Sequence, residues 1–424
     1  MDPIGLLSLP TRPFARLCSV PRHLEDVTSI AEETPARELG LATGAVEAVW
    51  GAIEDLYRSG LHPAIQVCIR RHGEIVLHRA IGHRSGNEPG SPPDAPRTLA
   101  TTATPFNLFS ASKAVTAMVI HRLDDEGLLH LDDRVADYIP EFAAHGKQWI
   151  TVRHVLCHRA GIPTLPPHLL DSSLLEKPEE ILQILCEAKP VSRAGRRLAY
   201  HAVTGGFVLG EVVRRVCGKD IRQVLHEKIQ APLGFRWMNY GVAPADLPEV
   251  AVDAFTGLPL PPPLSTLLRR ALGVDAETAV RISNEPAFRT GIVPAGNLIS
   301  TAEEASAFYQ CLLNEGELDG TRIFGPRTVR RATSEQTYWE LDLTLGVPLR
   351  YGLGFMLGGE LISLFGSGTP HAFGHLGFTN IFNWADPERA LAVAILSSGK
   401  PVISPGMLRL VQLLLRVHDA FPKV

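Results

Sequence analysis

Strand-like segments lie near both ends of this chain, and a long helical stretch separates them. Near the N-terminus, "AIQVCIRRHGEIVLHRAIG" gives two β-rich runs around Arg71-His72-Gly73, a hairpin signal. Near the C-terminus, "RYGLGFML", "HAFGHLGFTNIFNWA" and "RALAVAILSS" read as successive strands, with Asp386-Pro387-Glu388-Arg389 as a turn. Residues 130–290 are mostly helical or irregular; "KPEEILQILCEA" and "TGGFVLGEVVRRVCG" are amphipathic helices, the second ending at Gly218. This arrangement predicts an α+β fold, an α/β sandwich. An antiparallel sheet is assembled from N- and C-terminal segments and flanked by helices, with a mostly α-helical domain inserted. The expected boundaries are an N-terminal extension over 1–42 and one domain over 43–424. Its α/β part spans about 43–125 and 290–424, and its helical insertion about 126–289.

A helix is expected from Thr43, as N-cap, to Ser59, with Val46, Val49, Trp50, Ile53, Leu56 and Tyr57 on its apolar face. A polar loop follows the hairpin over residues 84–98, and a last helix starts at Ser404 with Pro405 in its first turn. The proline- and leucine-rich stretch from Gly241 to Leu272 reads as an ordered lid or a flexible loop. The chain has 424 residues, 45% hydrophobic and 20% charged, enough for a sizeable core. Lys plus Arg is 41 and Asp plus Glu is 45, a net charge of −4, which argues against a nucleic-acid partner. None of the six cysteines forms a Cys-x-x-Cys pair, so no metal site is expected. The N-terminus has no basic region ahead of an apolar run, and no run of 18 apolar residues exists. The expectation is a cytoplasmic protein without a membrane span, with peripheral lipid contact left open. Nothing in the sequence indicates the oligomeric state.

The chemistry-bearing feature is "FNLFSASKAVTAMVIHRLDDEGLL", where Ser110 precedes Lys113 by three residues at the start of a helical pattern. Val115, Met118, Val119 and Leu123 recur at helical spacing, and Gly127 ends it. An alcohol is a weak nucleophile and needs a base. Lysine serves when its pKa is lowered by burial or by a positive potential, and a helix N-terminus supplies such a potential. Residues one turn apart share a helix face, so hydroxyl and amine meet. Ser397-Ser398-Gly399-Lys400 matches the same pattern but follows a strand and runs into Pro401, which disfavours a helical turn.

Several ordered segments resemble the serine β-lactamase-like superfamily of class C β-lactamases, DD-peptidases and family VIII carboxylesterases. They are "FNLFSASKAVTAMVIHRLDDEGLLHLDDRVADYIPEF", "ITVRHVLCHRAGIP", "AGRRLAYHAVTGGFVLGEVVRRVCGKD", "EKIQAPLGF", "PAGNLISTAEEASAFY" and "FGHLGFTNIFNWADPERALAVAILSS". The resemblance implies that Ser110 is the nucleophile, Lys113 its partner, and Tyr200 the tyrosine of a second motif. A tyrosine near an ammonium can have a lowered pKa and shuttle the serine proton. The third motif, usually Lys-Thr-Gly, reads His375-Leu376-Gly377, and its glycine lets the strand approach substrate. By the same similarity the backbone N–H groups of Ser110 and Phe378 form the oxyanion hole, and no cofactor is needed.

Two positions depart from the family pattern. His375 stands where relatives carry a carboxylate-binding lysine, a weaker and pH-dependent cation. Ala202 stands where an asparagine holds an acylamide. Both losses fit an esterase for small-molecule esters of short to medium acyl chain. The alternatives are a β-lactamase or DD-peptidase, an acyltransferase, and a non-catalytic binding protein on the same fold. His158 and His201 read as structural, and the glycines of "TGGFVLGE" as helix-packing residues. No His-Glu-x-x-His and no Gly-x-Ser-x-Gly is present.

Overall fold

The computed structural model describes residues 16–92, 94–164, 172–402 and 406–424. Nine strands form one antiparallel sheet. They are β1 (Thr28–Ile30), β2 (Ala64–Arg71), β3 (Glu74–Ser85), β4 (Thr337–Leu341), β5 (Pro348–Tyr351), β6 (Met356–Leu357), β7 (Phe373–Gly377), β8 (Ile381–Asp386) and β9 (Leu391–Ser397). Their spatial order is β1-β3-β2-β9-β8-β7-β6-β5-β4, and Thr98–Leu99 pairs with β3 off this path. The join between the two ends of the chain is the β2–β9 ladder, which runs from Ile65 opposite Ser397 to Arg71 opposite Leu391. The hairpin turns at His72 and Gly73, both with positive φ (53° and 92°).

The α-helices of eight or more residues are α1 (Ala45–Tyr57), α2 (Ser112–Asp125), α3 (Pro178–Glu187), α4 (Thr204–Cys217), α5 (Leu264–Leu272), α6 (Ala276–Ser283), α7 (Ala302–Leu313) and α8 (Gly406–Ala420). Strand alternation assigns the two faces of the sheet. Ile65, Val67, Ile69, Val393 and Ile395 pack with Trp50, Ile53 and Leu413 of α1 and α8. Ala64, Cys68, Ala392 and Ala394 turn to the opposite face, with Phe308 of α7 and most of α2. The small side chains there let α7 lie close. All six apolar-face residues expected on α1 are buried.

Local details differ from the sequence reading. The cap of α1 is Gly44, in a left-handed conformation, and not Thr43. The "RYGLGFML" run is two short strands, because the chain turns at Gly352-Leu353-Gly354. Within the N-terminal segment, Thr28–Ile30 joins the sheet edge by pairing with Arg79–Ile81, and Leu24 and Val27 are buried. The expected start of the last helix, Ser404 and Pro405, lies outside the described residues. The stretch from Gly241 to Leu272 is tied to the body of the fold: Ala251 N donates to Pro105 O, Val252 N to Arg84 O, and Ala254 N to Ser398 O. No helix among the described residues is long and apolar enough to cross a membrane.

Helix α2 lies at the centre of the molecule, with eleven of its residues buried from Ser112 to Leu123. Its fit depends on Gly354, whose φ is +101° and where a Cβ would fall 2.0 Å from Ala117 Cβ. Gly354→Ala is expected to combine left-handed strain with overpacking and cost about 2–4 kcal/mol in chemical denaturation. Gly73→Ala has the same sign of φ but no neighbour within 4 Å. It should cost only about 1 kcal/mol. Equal losses for the two variants would show that α2 is not held by this contact.

Candidate active site

Ser110 is placed by the chain that leads into α2. Phe106–Asn107 pairs with Leu298–Ser300, and Leu108 N donates to Leu298 O at 2.8 Å. Phe109 then takes a positive φ of 47°, which a bulky residue adopts only when its surroundings impose it. Asn107 Oδ1 accepts from Phe109 N at 3.2 Å, and the Ser112 hydroxyl donates to Phe109 O. Leu298 N donates to Ser112 Oγ at 3.0 Å, tying the turn to the facing strand. One 3-10 turn, Phe109–Ala111, carries Ser110 into the helix.

Lys113 sits one turn along and is buried. Its Nζ lies 3.3 Å from Ser110 Oγ and donates to Ala202 O at 2.7 Å and Ala295 O at 2.9 Å. Burial pulls the amine down to about 7. A neutral amine has two protons and one lone pair. With two carbonyls taking the protons, the lone pair is left to face the Ser110 hydroxyl. Ala295 comes this close because Gly206 of α4 has no side chain: a Cβ there would lie 2.5 Å from Ala295 N. The glycines of this helix are packing residues, as read from the sequence.

Tyr200 completes the group. Lys113 Nζ lies 4.8 Å from its ring centroid, and the Ser110 hydroxyl bears on its phenol. The expected lowering of its pKa does not occur. Burial, with the Asp342 carboxylate nearby, raises the phenol well above its usual value and so favours its neutral form. Asp342 is fully buried and accepts from the backbone N–H groups of Tyr200 at 3.1 Å, Thr344 at 2.9 Å and Leu345 at 3.0 Å. It fixes the backbone that aims Tyr200. Nothing in the sequence pattern marked Asp342, which lies far along the chain in no recognised motif.

His158 packs on Tyr200, with ring centroids 4.7 Å apart, and its Nδ1 accepts from His201 N at 3.2 Å. Burial drives both imidazoles to the neutral form, His201 to about 3. They form the wall behind Tyr200, in keeping with their structural reading.

The third segment lies on β7. His375 is buried with Nδ1 2.7 Å from Leu376 O. Burial first, and then the adjacent Lys113, pull its pKa down to about 3. The imidazole is neutral across the ordinary pH range, so the expected pH-dependent cation is not there. A Cβ at Gly377 would fall 2.2 Å from Leu108 O. The strand thus closes on the backbone that carries Ser110. Phe378 follows, and its ring stacks on Phe109 at 5.6 Å.

Beside Ser110 opens a cavity of about 160 Å³. Phe109, Ala202, Phe207, Leu272, Val274, Ala295 and Phe378 are in its wall, and among the described residues that line it Ser110 bears the one polar side chain. Leu272 ends the proline- and leucine-rich stretch, which therefore contributes to the cavity as fixed wall. The second Ser-x-x-Lys does not share this site's geometry. Ser397 ends β9 and its hydroxyl donates to Asn380 O at 2.9 Å, while Lys400 Nζ lies 3.4 Å from Asp253 Oδ1.

The ordered motifs have counterparts in known proteins. Residues 51–416 match the family model described as Beta-lactamase. The Esterase/beta-lactamase LipL of Mycobacterium tuberculosis is 33% identical over 303 residues, covering 68% of this chain and 68% of that protein. A solved family VIII carboxylesterase superposes with a TM-score of 0.75 at 28% identity, over 89% of this chain and 99% of that one. A penicillin-binding protein homologue from Caulobacter crescentus gives a TM-score of 0.74 at 28% identity, over 90% and 99%. With its terminal segments joined in one antiparallel sheet and Ser110 at the head of the buried helix beneath it, the chain belongs to the beta-lactamase family and is a serine hydrolase of that superfamily.

Proposed function

We propose that this chain hydrolyses carboxylic esters of short to medium acyl chain through a covalent acyl-enzyme on Ser110. One observation carries the reading: among the described residues Ser110 is the one polar side chain facing an apolar cavity, with the Lys113 amine 3.3 Å from its Oγ. An apolar cavity of about 150 Å³ takes up a benzene molecule, so one of this size suits an acyl chain on the order of six carbons. Among the described lining residues none is charged, so a substrate carboxylate would find no partner. Ala202 in the wall offers no side-chain amide, and the neutral His375 offers no cation.

The chemistry follows from the same contacts. The neutral Lys113 amine takes the Ser110 proton as Oγ attacks the ester carbonyl. The backbone N–H groups of Ser110 and Phe378 receive the oxyanion. The proton passes through the Tyr200 hydroxyl to the departing alkoxide, which leaves as alcohol. Water then adds to the acyl carbonyl by the reverse proton path and releases the acid.

Ser110→Ala should cut turnover of p-nitrophenyl butyrate at least about a thousandfold with an unchanged circular dichroism spectrum. Labelling by a fluorophosphonate probe should vanish with it, while Ser397→Ala, whose hydroxyl faces Asn380, stays near wild type. A variant at Ser110 that keeps a few per cent of the rate would refute the assignment.

Lys113 and Tyr200 act in one proton path, so Lys113→Ala, Tyr200→Phe and the double variant should show losses that do not add. The base form of Lys113 is the neutral one. Protonation below a pKa of about 7 removes it. The value of kcat/KM should therefore rise about tenfold per pH unit below that point and level off above it. A profile that falls with rising pH, or simple additivity, would contradict the shared role.

Nitrocefin carries a carboxylate and an acylamide that this cavity does not answer. Each lost charge-assisted bond costs about 1.5–3 kcal/mol. The value of kcat/KM for p-nitrophenyl butyrate should exceed that for nitrocefin by at least about tenfold. Equal values would favour a β-lactamase over an esterase.

A further inference from the structure

A second cavity, of about 330 Å³, adjoins the one at Ser110. Leu175, Ile181 and Phe207 line both, so these three side chains form the partition between them. Helix α4 shows how. Val203 and Phe207 border the first cavity, and Phe207 and Gly210 border the second, at the spacing of successive turns. Gly210 has no side chain behind the Phe207 ring, and a Cβ there would lie 3.2 Å from Pro294 Cγ. The missing side chain leaves the second chamber open. Its lining is apolar at Leu182 of α3, Leu185 and Ile292, and it also carries Glu211, Arg214, Asp220 and Arg222. Among the described residues, the three shared side chains, of which Phe207 is the one ring, stand between the cavity at Ser110 and this second chamber.

Phe207 is the largest of the three partition residues and is only half-buried, whereas Ile181 is 5% exposed. Removing or shrinking the ring therefore changes the opening more than any other substitution in the partition.

We propose that Phe207 sets the acyl-length limit of this enzyme and that the chamber behind it is the distal half of an alkyl-binding site. The inference rests on the reading of Ser110 as the acylated residue. With the ring in place, the chain is confined to the first cavity. With it removed, methylenes beyond the first six or so enter the second chamber, each adding about fourfold in affinity until that chamber is full.

The test is a p-nitrophenyl ester series from butyrate to dodecanoate. For the wild type, kcat/KM should peak near hexanoate. Phe207→Ala should raise the decanoate-to-butyrate ratio at least about tenfold, and Phe207→Leu should raise it less. Adding Leu182→Trp, which fills the second chamber alone, should return the ratio toward wild type. An unchanged ratio in both Phe207 variants overturns the proposal. A raised ratio that survives Leu182→Trp overturns the placement of the chain. Should the wild type turn over no ester, the hydrolase reading fails, and calorimetry with hexanoate and decanoate decides the chamber by itself. Tighter decanoate binding in Phe207→Ala than in wild type supports it, and no difference rejects it.

Discussion

The site depends on a lysine amine removed from water without a carboxylate to hold its charge. Among the described residues, Lys113 Nζ meets oxygens of two carbonyls and a hydroxyl in its hydrogen bonds: Ala202, Ala295 and Ser110. An ammonium in that place would gain three acceptors but lose its hydration, and burial alone is enough to bring its pKa to about 7. Three separate segments are tied to this one nitrogen: the head of α2, the Tyr200-His201-Ala202 turn and the loop at Ala295. A polar group in a dry interior must be hydrogen-bonded, and a displaced segment would leave it short of a partner. The same requirement that shifts the base also holds the three segments together.

The apolar wall has two consequences that pull in opposite directions. It desolvates Ser110 and Lys113, which lowers the pKa of the amine and suits it to the base role proposed for it. It also removes water from any oxyanion that forms, which is costly unless fixed dipoles replace it. Backbone groups are the dipoles at hand, and the close packing of Gly377 on Leu108 O brings the Phe378 strand against the turn of Ser110. The stack of Phe109 on Phe378 continues that contact on the side-chain level. The apolar wall and the tight strand thus make sense together.

Much of this was legible before any coordinates. The hairpin at His72-Gly73 and the α1 face follow directly from turn residues and periodicity, whereas α2 is buried nearly all round. The meeting of Ser110 with Lys113 follows from helical spacing. What was not legible has a common cause: it depends on groups without a sequence signature. Carbonyl oxygens of Ala202 and Ala295 are carried by every residue alike. The buried carboxylate of Asp342 reaches Tyr200 through folding and not through spacing. The charge states of Tyr200 and His375 are not legible in the sequence, because burial, which it does not display, outweighs the neighbouring groups that it does. The kinship of the motifs fixed which residues to inspect, and the packing fixed what state they are in.

The two Ser-x-x-Lys copies show how far a pattern falls short of a site. Both lysines are buried, and both stand within a few residues of a serine. Lys400 has a counter-charge in Asp253, and the carboxylate opposes the burial that would strip its proton. Its Nζ lies 4.7 Å from the Phe109 ring centroid, so it supports the residue ahead of Ser110 instead of reaching a hydroxyl. Its serine ends a strand and points its hydroxyl at a carbonyl. Lys113 has the opposite set: no carboxylate, a helical turn, and a hydroxyl in reach. The distinction between a structural cation and a base therefore lies in the counter-ion and the backbone geometry, neither of which the four-residue pattern contains.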